Sequence, residues 1–167
     1  MNKKIDDLTL LGIFKAEAEE RLQNMNKWLL ELEKSSHNEL AMKEFQREIH
    51  NLKGTSRMAG FNDIGTLAHK MEDVINAIQE GKLQINNVSE VLFNSLDVIG
   101  FLVEAGVGGQ EVEVNTENIL HNLNETLKHS QNLETKEIER ANAKPLGKIL
   151  IEDKVISQEQ LQIALEK

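Results

Sequence analysis

The sequence predicts an all-α fold: an up-down-up-down four-helix bundle with a fifth accessory helix and a small C-terminal helical appendage. Three observations point there. Apolar residues recur at steps of three and four through most of the chain, the spacing that gives a helix one buried face. Pro145 is the only proline among 167 residues, so no proline interrupts the first 144. Tyrosine is absent and aromatics make up 4%, which disfavours sandwiches and barrels built from aromatic and β-branched strands.

The first helix is expected from about Leu8 to Lys34, with the seam Leu11, Phe14, Ala18, Leu22, Met25, Leu29, Leu32. Ser35, Ser36 and Asn38 form a polar break. The second helix is expected from about Glu39 to Ala59, with Met42, Phe45, Ile49, Leu52, Ser56 and Ala59 on its seam and Gly60 as its C-terminal stop. The third starts after Asn62, taken as its N-cap, and ends at Gly81. Its seam is Ile64, Leu67, Ala68, Met71, Val74, Ile75 and Ile78. A fourth helix follows Asn87 with Val91, Leu92, Leu96, Ile99, Leu102 and Val103, and breaks at Gly106 to Gly109. A fifth follows Asn115 or Thr116 and uses Ile119, Leu123 and Leu127. Short connections between amphipathic helices predict antiparallel neighbours. A bundle of this size buries enough apolar surface to be stable unaided.

Residues 1–130 are thus read as the bundle, 131–144 as a linker or helical extension, and 145–167 as a separate appendage. Hydrophobic residues at 40% and charged residues at 28% suit a soluble globular chain. Lys and Arg number 19 against 28 Asp and Glu, and a formal charge of -9 argues against a general nucleic-acid-binding surface. Without cysteine there is no disulfide framework, thiolate metal site or thiol nucleophile. No uninterrupted apolar run approaches the ~20 residues of a membrane span and no signal peptide opens the chain, so a cytoplasmic location is expected.

His50 lies about 100° around the second helix from the seam residue Ile49, at the edge of the core with its ring reaching solvent. Gln46, Arg47, Lys53, Gly54 and Arg57 share its face at offsets of three, four and seven. A cationic stripe centred on a histidine suits a group that becomes strongly anionic. Glycine inside a helix costs about 1 kcal/mol relative to alanine. A side chain at position 54 would lean back over His50, so Gly54 opens the imidazole to a partner. If the following turn centres near Phe61, residues whose numbers sum to about 122 face each other. His50 then faces Glu72, with His69 one turn earlier on the same face of the third helix. A carboxylate accepting from Nδ1–H fixes the tautomer that leaves the lone pair on Nε2 and makes that nitrogen the better nucleophile. Lys53 stands where it would neutralise an arriving phosphoryl group.

His50-Asn51-Leu52-Lys53-Gly54-Thr55-Ser56 resembles the H-x-x-K-G-x-S signature of histidine phosphotransfer (HPt) domains, most closely the N-terminal phosphoacceptor domain of CheA-type chemotaxis histidine kinases. Phe14-Lys15-Ala16-Glu17-Ala18-Glu19-Glu20-Arg21-Leu22 resembles the family's first helix, and Met58-Ala59-Gly60-Phe61 its turn after the histidine helix. His69-Lys70-Met71-Glu72-Asp73 resembles its H-x-x-E segment. The resemblance covers roughly residues 8–130. It implies that His50 is phosphorylated, that Glu72 hydrogen-bonds it, and that Lys53 and His69 support it. It also implies two partners, an ATP-binding histidine kinase domain as donor and the aspartate of a response-regulator receiver domain as acceptor. Arg47, Gly54 and Arg57 are expected on the partner-binding face. An ATP-binding domain would need a long α/β segment with its own Asn and Gly-rich boxes, and none fits in this sequence. The chain is therefore expected to accept and pass on phosphate without cleaving ATP, as the N-terminal part of a larger kinase. No cofactor and no metal are expected.

From Pro145 to Lys167 the sequence resembles one helix-turn-helix unit of the N-terminal domain of type II secretion ATPases, with Ser157 and Gln160 as a capping box. Pro145 and Lys154 replace that family's arginine and turn glycine, so a docking or linker element is expected rather than nucleotide binding. Two rival readings remain. Glu117, His121, Glu125 and His129, on one face of the fifth helix, suggest a metal-binding bundle. A purely structural adaptor is the other, though it needs neither Gly54 nor a histidine facing a glutamate.

Overall fold

The computed structural model describes residues 2–108 and 116–142, with side chains at 8–108 and 116–129. Five helices follow in order: α1 (Asn2–Lys34), α2 (Glu39–Met58), α3 (Asn62–Gln79), α4 (Ile85–Gly108) and α5 (Thr116–Asn142). The first four pack in a ring, α1 on α2, α2 on α3, α3 on α4 and α4 back on α1. Connections of a few residues force each to run antiparallel to the one before it. The bundle belongs to a compact unit spanning Met1–Gln131. The second unit, Asn132–Lys167, has its described part in the end of α5, helical to Asn142. The expected appendage at 145–167 lies outside the described residues.

The predicted seams form the core. Met25, Leu29, Leu32, Phe45, Ile49, Leu52, Leu67, Met71, Ile75, Leu92 and Ile99 are fully buried, and α5 adds Ile119 and Leu123. Seam ends fare differently: Leu11, Ile78, Val91, Leu102 and Leu127 are only partly buried and Ala59 is exposed, because each lies near a helix end or off the centre of its stripe. Burial of this kind contributes about 25 cal/mol per Å² of apolar surface removed from water.

Helix ends carry their own chemistry. Asn38 caps α2, its side-chain oxygen accepting from the Ala41 N–H at 3.0 Å. Gly60 (φ 88°) and Gly81 (φ 75°) stop α2 and α3 in the left-handed conformation. At the first stop the Phe61 N–H donates to the Ser56 carbonyl at 2.8 Å and the Gly60 N–H to that of Arg57 at 3.2 Å. Two expectations are corrected here. Asn62 is the first residue of α3 and not its cap; Phe61 holds the cap position without a side-chain hydrogen bond, since a phenyl ring has no acceptor to offer, and its ring packs instead on Phe14, centroids 4.7 Å apart. The fourth helix starts at Ile85, ahead of Asn87, and runs through Gly106 to Gly108. Gly106 serves close packing there: an added Cβ would overlap the Phe61 ring.

α4 is long and apolar enough to cross a membrane by length and composition. Asn94, Ser95 and Asp97 interrupt this otherwise apolar stretch, so it contains no long unbroken apolar run. In the bundle it is a core helix, burying Val88, Leu92, Leu96, Ile99 and Val103.

Candidate functional site

Burying Phe45, Ile49 and Leu52 fixes the rotation of α2, and that rotation places residues 46, 50, 53 and 57 along its edge with α3. The α2–α3 turn then fixes the register. His50 Nδ1 lies 2.9 Å from Glu72 Oε1 across the groove. The His50 side chain is 66% exposed while that of Glu72 is 14% exposed, so the ring stands in solvent with one edge held by a sheltered carboxylate. With Nδ1–H donating to Glu72, the lone pair of Nε2 is free to act as a nucleophile.

The Lys53 ammonium donates to Glu72 Oε2, so both carboxylate oxygens are engaged, one by each residue of α2. Partial burial pushes the Glu72 carboxyl up, but the hydrogen bonds and charges of Lys53 and His50 outweigh it and hold the group below the usual carboxylate range. Glu72 is thereby kept ionised and oriented. The sequence placed Lys53 beside an incoming phosphoryl group; the structure brings it first to Glu72.

The remaining site residues separate. Gly54 is exposed, and a Cβ added there would meet nothing within 4 Å, which leaves the approach to His50 open. His69 lies in register with Lys53, but its Nε2 is 3.8 Å from Asp73 Oδ1 and makes no described contact with His50 or Glu72. Arg47 is drawn away by Glu44 at 2.6 Å and Glu48 at 3.4 Å. Arg57 lies over α3, its Cγ 2.7 Å from where a Cβ would stand on Gly65.

Two features escaped the sequence reading. Gln46 Nε2 donates to Asn76 Oδ1 at 3.0 Å, and Gln79 Nε2 to Gln46 Oε1 at 3.1 Å, one turn before His50. The register that pairs His50 with Glu72 also pairs 46 with 76, so this bond was deducible. Glu48, 5% exposed, accepts from Arg21 Nη1 of α1 at 2.9 Å, and Arg21 also pairs with Glu17. The i, i+4 spacing of Glu17 and Arg21 was visible, but a buried carboxylate on α2 was not.

Among the described residues no three His, Asp or Glu side chains converge to hold a metal ion. The stripe on α5 turns outward, with His121, Glu125 and His129 exposed. An open cleft of about 840 Å³ at the other end of the groove is lined in part by Met42, Lys43, Gln46, Ile78 and Gln79 and does not reach His50.

A four-helix bundle that exposes a histidine on one helix, held at Nδ1 by a glutamate of the next, defines a phosphotransfer-type module. The chain belongs to the Hpt domain family, whose model matches residues 9–96. Among curated proteins it is 38% identical over 96 residues to a gliding motility regulatory protein of Myxococcus xanthus, covering 58% of this chain and 12% of that protein. It is 32% identical over 107 residues to the chemotaxis protein CheA of Borreliella burgdorferi, covering 64% of this chain and 12% of that protein. The CheA of Bacillus subtilis is 33% identical over 100 residues, covering 59% of this chain and 15% of that protein. The chain thus spans a small part of the length of these relatives. Among solved structures, the phosphorylated P1 domain of CheA3 from R. sphaeroides, in complex with CheY6, superposes with a TM-score of 0.64. That match covers 74% of this chain and 98% of that one at 21% identity, a likeness of fold.

Proposed function

We propose that the chain is a phosphoacceptor and phosphotransfer module of a two-component system, within a chemotaxis-type histidine kinase. One observation carries the reading: the exposed imidazole of His50, tied at Nδ1 to Glu72 with Nε2 left open. Nε2 attacks the γ-phosphorus of ATP held by a separate kinase domain. The Nε2–P bond forms, the bond from phosphorus to the β-phosphate oxygen breaks, and ADP leaves. Phosphorylation makes the ring cationic with its proton on Nδ1, and the ionised Glu72 stabilises that proton where it is. Lys53 keeps Glu72 charged and in place. A receiver aspartate oxygen then attacks phosphorus, the N–P bond breaks, and its electron pair returns to Nε2.

On this reading the chain is the substrate of a kinase and performs no ATP cleavage of its own. Its donor is ATP-dependent, which places it in the cytoplasm. Arg47, Gly54 and Arg57 belong to the face over which partners dock, while His69, turned toward Asp73, is given no part in the step. The relatives named as CheA and as a motility regulator support this reading, as does the solved P1 domain with its CheY6 partner. The test is labelling with ATP and a CheA-type kinase domain. One acid-labile, base-stable phosphate is expected on His50, absent with ATP alone. Labelling that persists in His50→Gln rejects the assignment, and labelling without a kinase domain rejects the non-enzyme reading.

A further inference from the structure

The cationic stripe on α2 is not uniform once the ion pairs are drawn in. Arg47 is held by Glu44 and Glu48, and Lys53 by Glu72. Two cations of this helix, Lys43 and Arg57, have no carboxylate within ion-pair distance among the described residues, and both are exposed. They stand seven residues before and seven residues after His50. Seven residues return to nearly the same helix face, with a drift of about 20°, and advance about 10 Å. His50 therefore sits midway between two unneutralised positive charges on a chain whose net charge is -9.

The second charge has a built seat. Gly65 is buried opposite Arg57 in the same register that sets Glu72 opposite His50. A Cβ at Gly65 would stand 2.7 Å from Arg57 Cγ, closer than such atoms approach, and a tight 3.3 Å from Nε. The missing side chain lets Arg57 lie close along α3 while the residue stays exposed.

We propose that Lys43 and Arg57 are the electrostatic contacts that seat a receiver domain on α2, with Gly65 as the positioning residue for Arg57. This rests on the phosphotransfer reading above. The acceptor group is itself a carboxylate and must come within bonding distance of the phosphorus on His50. The matching partner is therefore a receiver that presents acidic side chains around its acceptor aspartate. Charges flanking such a contact speed productive encounter and lose their effect as salt rises.

The experiment uses the full chain, labelled at His50 with phosphoramidate. In that labelling Nε2–P forms, the donor's P–N bond breaks and ammonia leaves, with no docked protein required. Phosphate transfer is then timed to the receiver domain that accepts fastest from the wild-type chain. Lys43→Ala and Arg57→Ala are each expected to lower transfer kcat/KM about threefold to fivefold at about 0.01 M salt and not at all at about 1 M, where the screening length falls to ~3 Å. Arg57→Lys should keep the rate, because the charge remains. Gly65→Ala displaces the Arg57 side chain but keeps its charge, so it should lower the rate by less than Arg57→Ala and add nothing to that loss in the double variant. Labelling by phosphoramidate and helical content should stay unchanged throughout. Normal, salt-independent transfer in the Lys43→Ala/Arg57→Ala chain overturns the assignment, as does a loss confined to phosphorylation by a kinase domain. Failure of the wild-type chain to label at His50 would instead sink the phosphotransfer reading itself.

Discussion

Gln46 donates from Nε2 to Asn76 Oδ1 across 3.0 Å, in the same inter-helix register that sets His50 Nδ1 2.9 Å from Glu72 Oε1. Two polar bonds one helical turn apart thus bridge α2 and α3 along a single row. Each hydrogen bond contributes modestly, about 0.5 to 1.5 kcal/mol for the neutral Gln46–Asn76 pair. Their effect on the site is geometric: α3 can neither slide nor rotate against α2 without breaking both, so Glu72 stays aimed at the imidazole.

Glu72→Ala should slow phosphorylation of His50 by about 10-fold to 100-fold while the bundle remains folded, because it removes the acceptor on Nδ1 and no buried apolar group. Lys53→Ala should slow it less, since Lys53 acts through Glu72. In the Glu72→Ala background, adding Lys53→Ala should then cost little more. A large separate loss would return Lys53 to direct contact with the phosphoryl group. Rates from rapid-quench labelling of the four chains, beside circular dichroism, decide between these outcomes.

The site should also leave a mark on acid stability. The Glu72 carboxyl is held below its ordinary value by Lys53 and His50 against the opposing effect of burial. A depressed folded-state pKa stabilises the fold above the unfolded value of about 4.3 and loses that contribution as pH falls through the folded value. The stability gap between wild type and Glu72→Gln should therefore be widest near neutrality and shrink below about pH 4. Urea unfolding at a series of pH values checks it; a gap that widens on acidification contradicts the assignment.

Two glycines in helices should respond to alanine with opposite signs. Gly54 faces open space, so Gly54→Ala should raise stability by about 0.5 to 1 kcal/mol. It should also slow phosphotransfer mildly, and Gly54→Leu should block it by covering the ring. Gly106 lies under the Phe61 ring, so Gly106→Ala should lower stability by about 1 to 3 kcal/mol despite alanine's better helix propensity. Melting temperatures of both chains suffice. A stabilised Gly106→Ala protein would mean that Phe61 leaves its place against Phe14 at little cost.

Glu48 is the buried partner of Arg21, whose side chain is 19% exposed. Removing Glu48 leaves the largely buried Arg21 guanidinium with Glu17 alone, and Glu48→Ala should cost about 1 to 3 kcal/mol. Glu48→Gln keeps an acceptor for the guanidinium and should cost less. Phosphorylation of the folded fraction should be unaffected, since Glu48 faces α1 and not the groove. Chemical denaturation together with labelling per folded molecule separates the two effects.

The sequence by itself determined the helices, their order and the face each buries, because steps of three and four admit one hydrophobic stripe and one sensible packing partner. It also determined the His50–Glu72 pair. Gly60 stops α2 in a conformation that glycine tolerates, and a short turn leaves the antiparallel register little freedom. What the tertiary structure decided were the choices among near-equal partners. Arg47, Lys53 and Arg57 look alike along the helix, and only the neighbouring chain shows that glutamates take the first two and a glycine notch receives the third. His69 is in register and yet lies toward Asp73. Glu48 is buried because α1 supplies Arg21, at a separation of 27 residues. Hydrophobic periodicity fixes which face goes inward. Long polar side chains reach several ångströms past their own helix, and their partners are set by distances that exist only after the helices have packed.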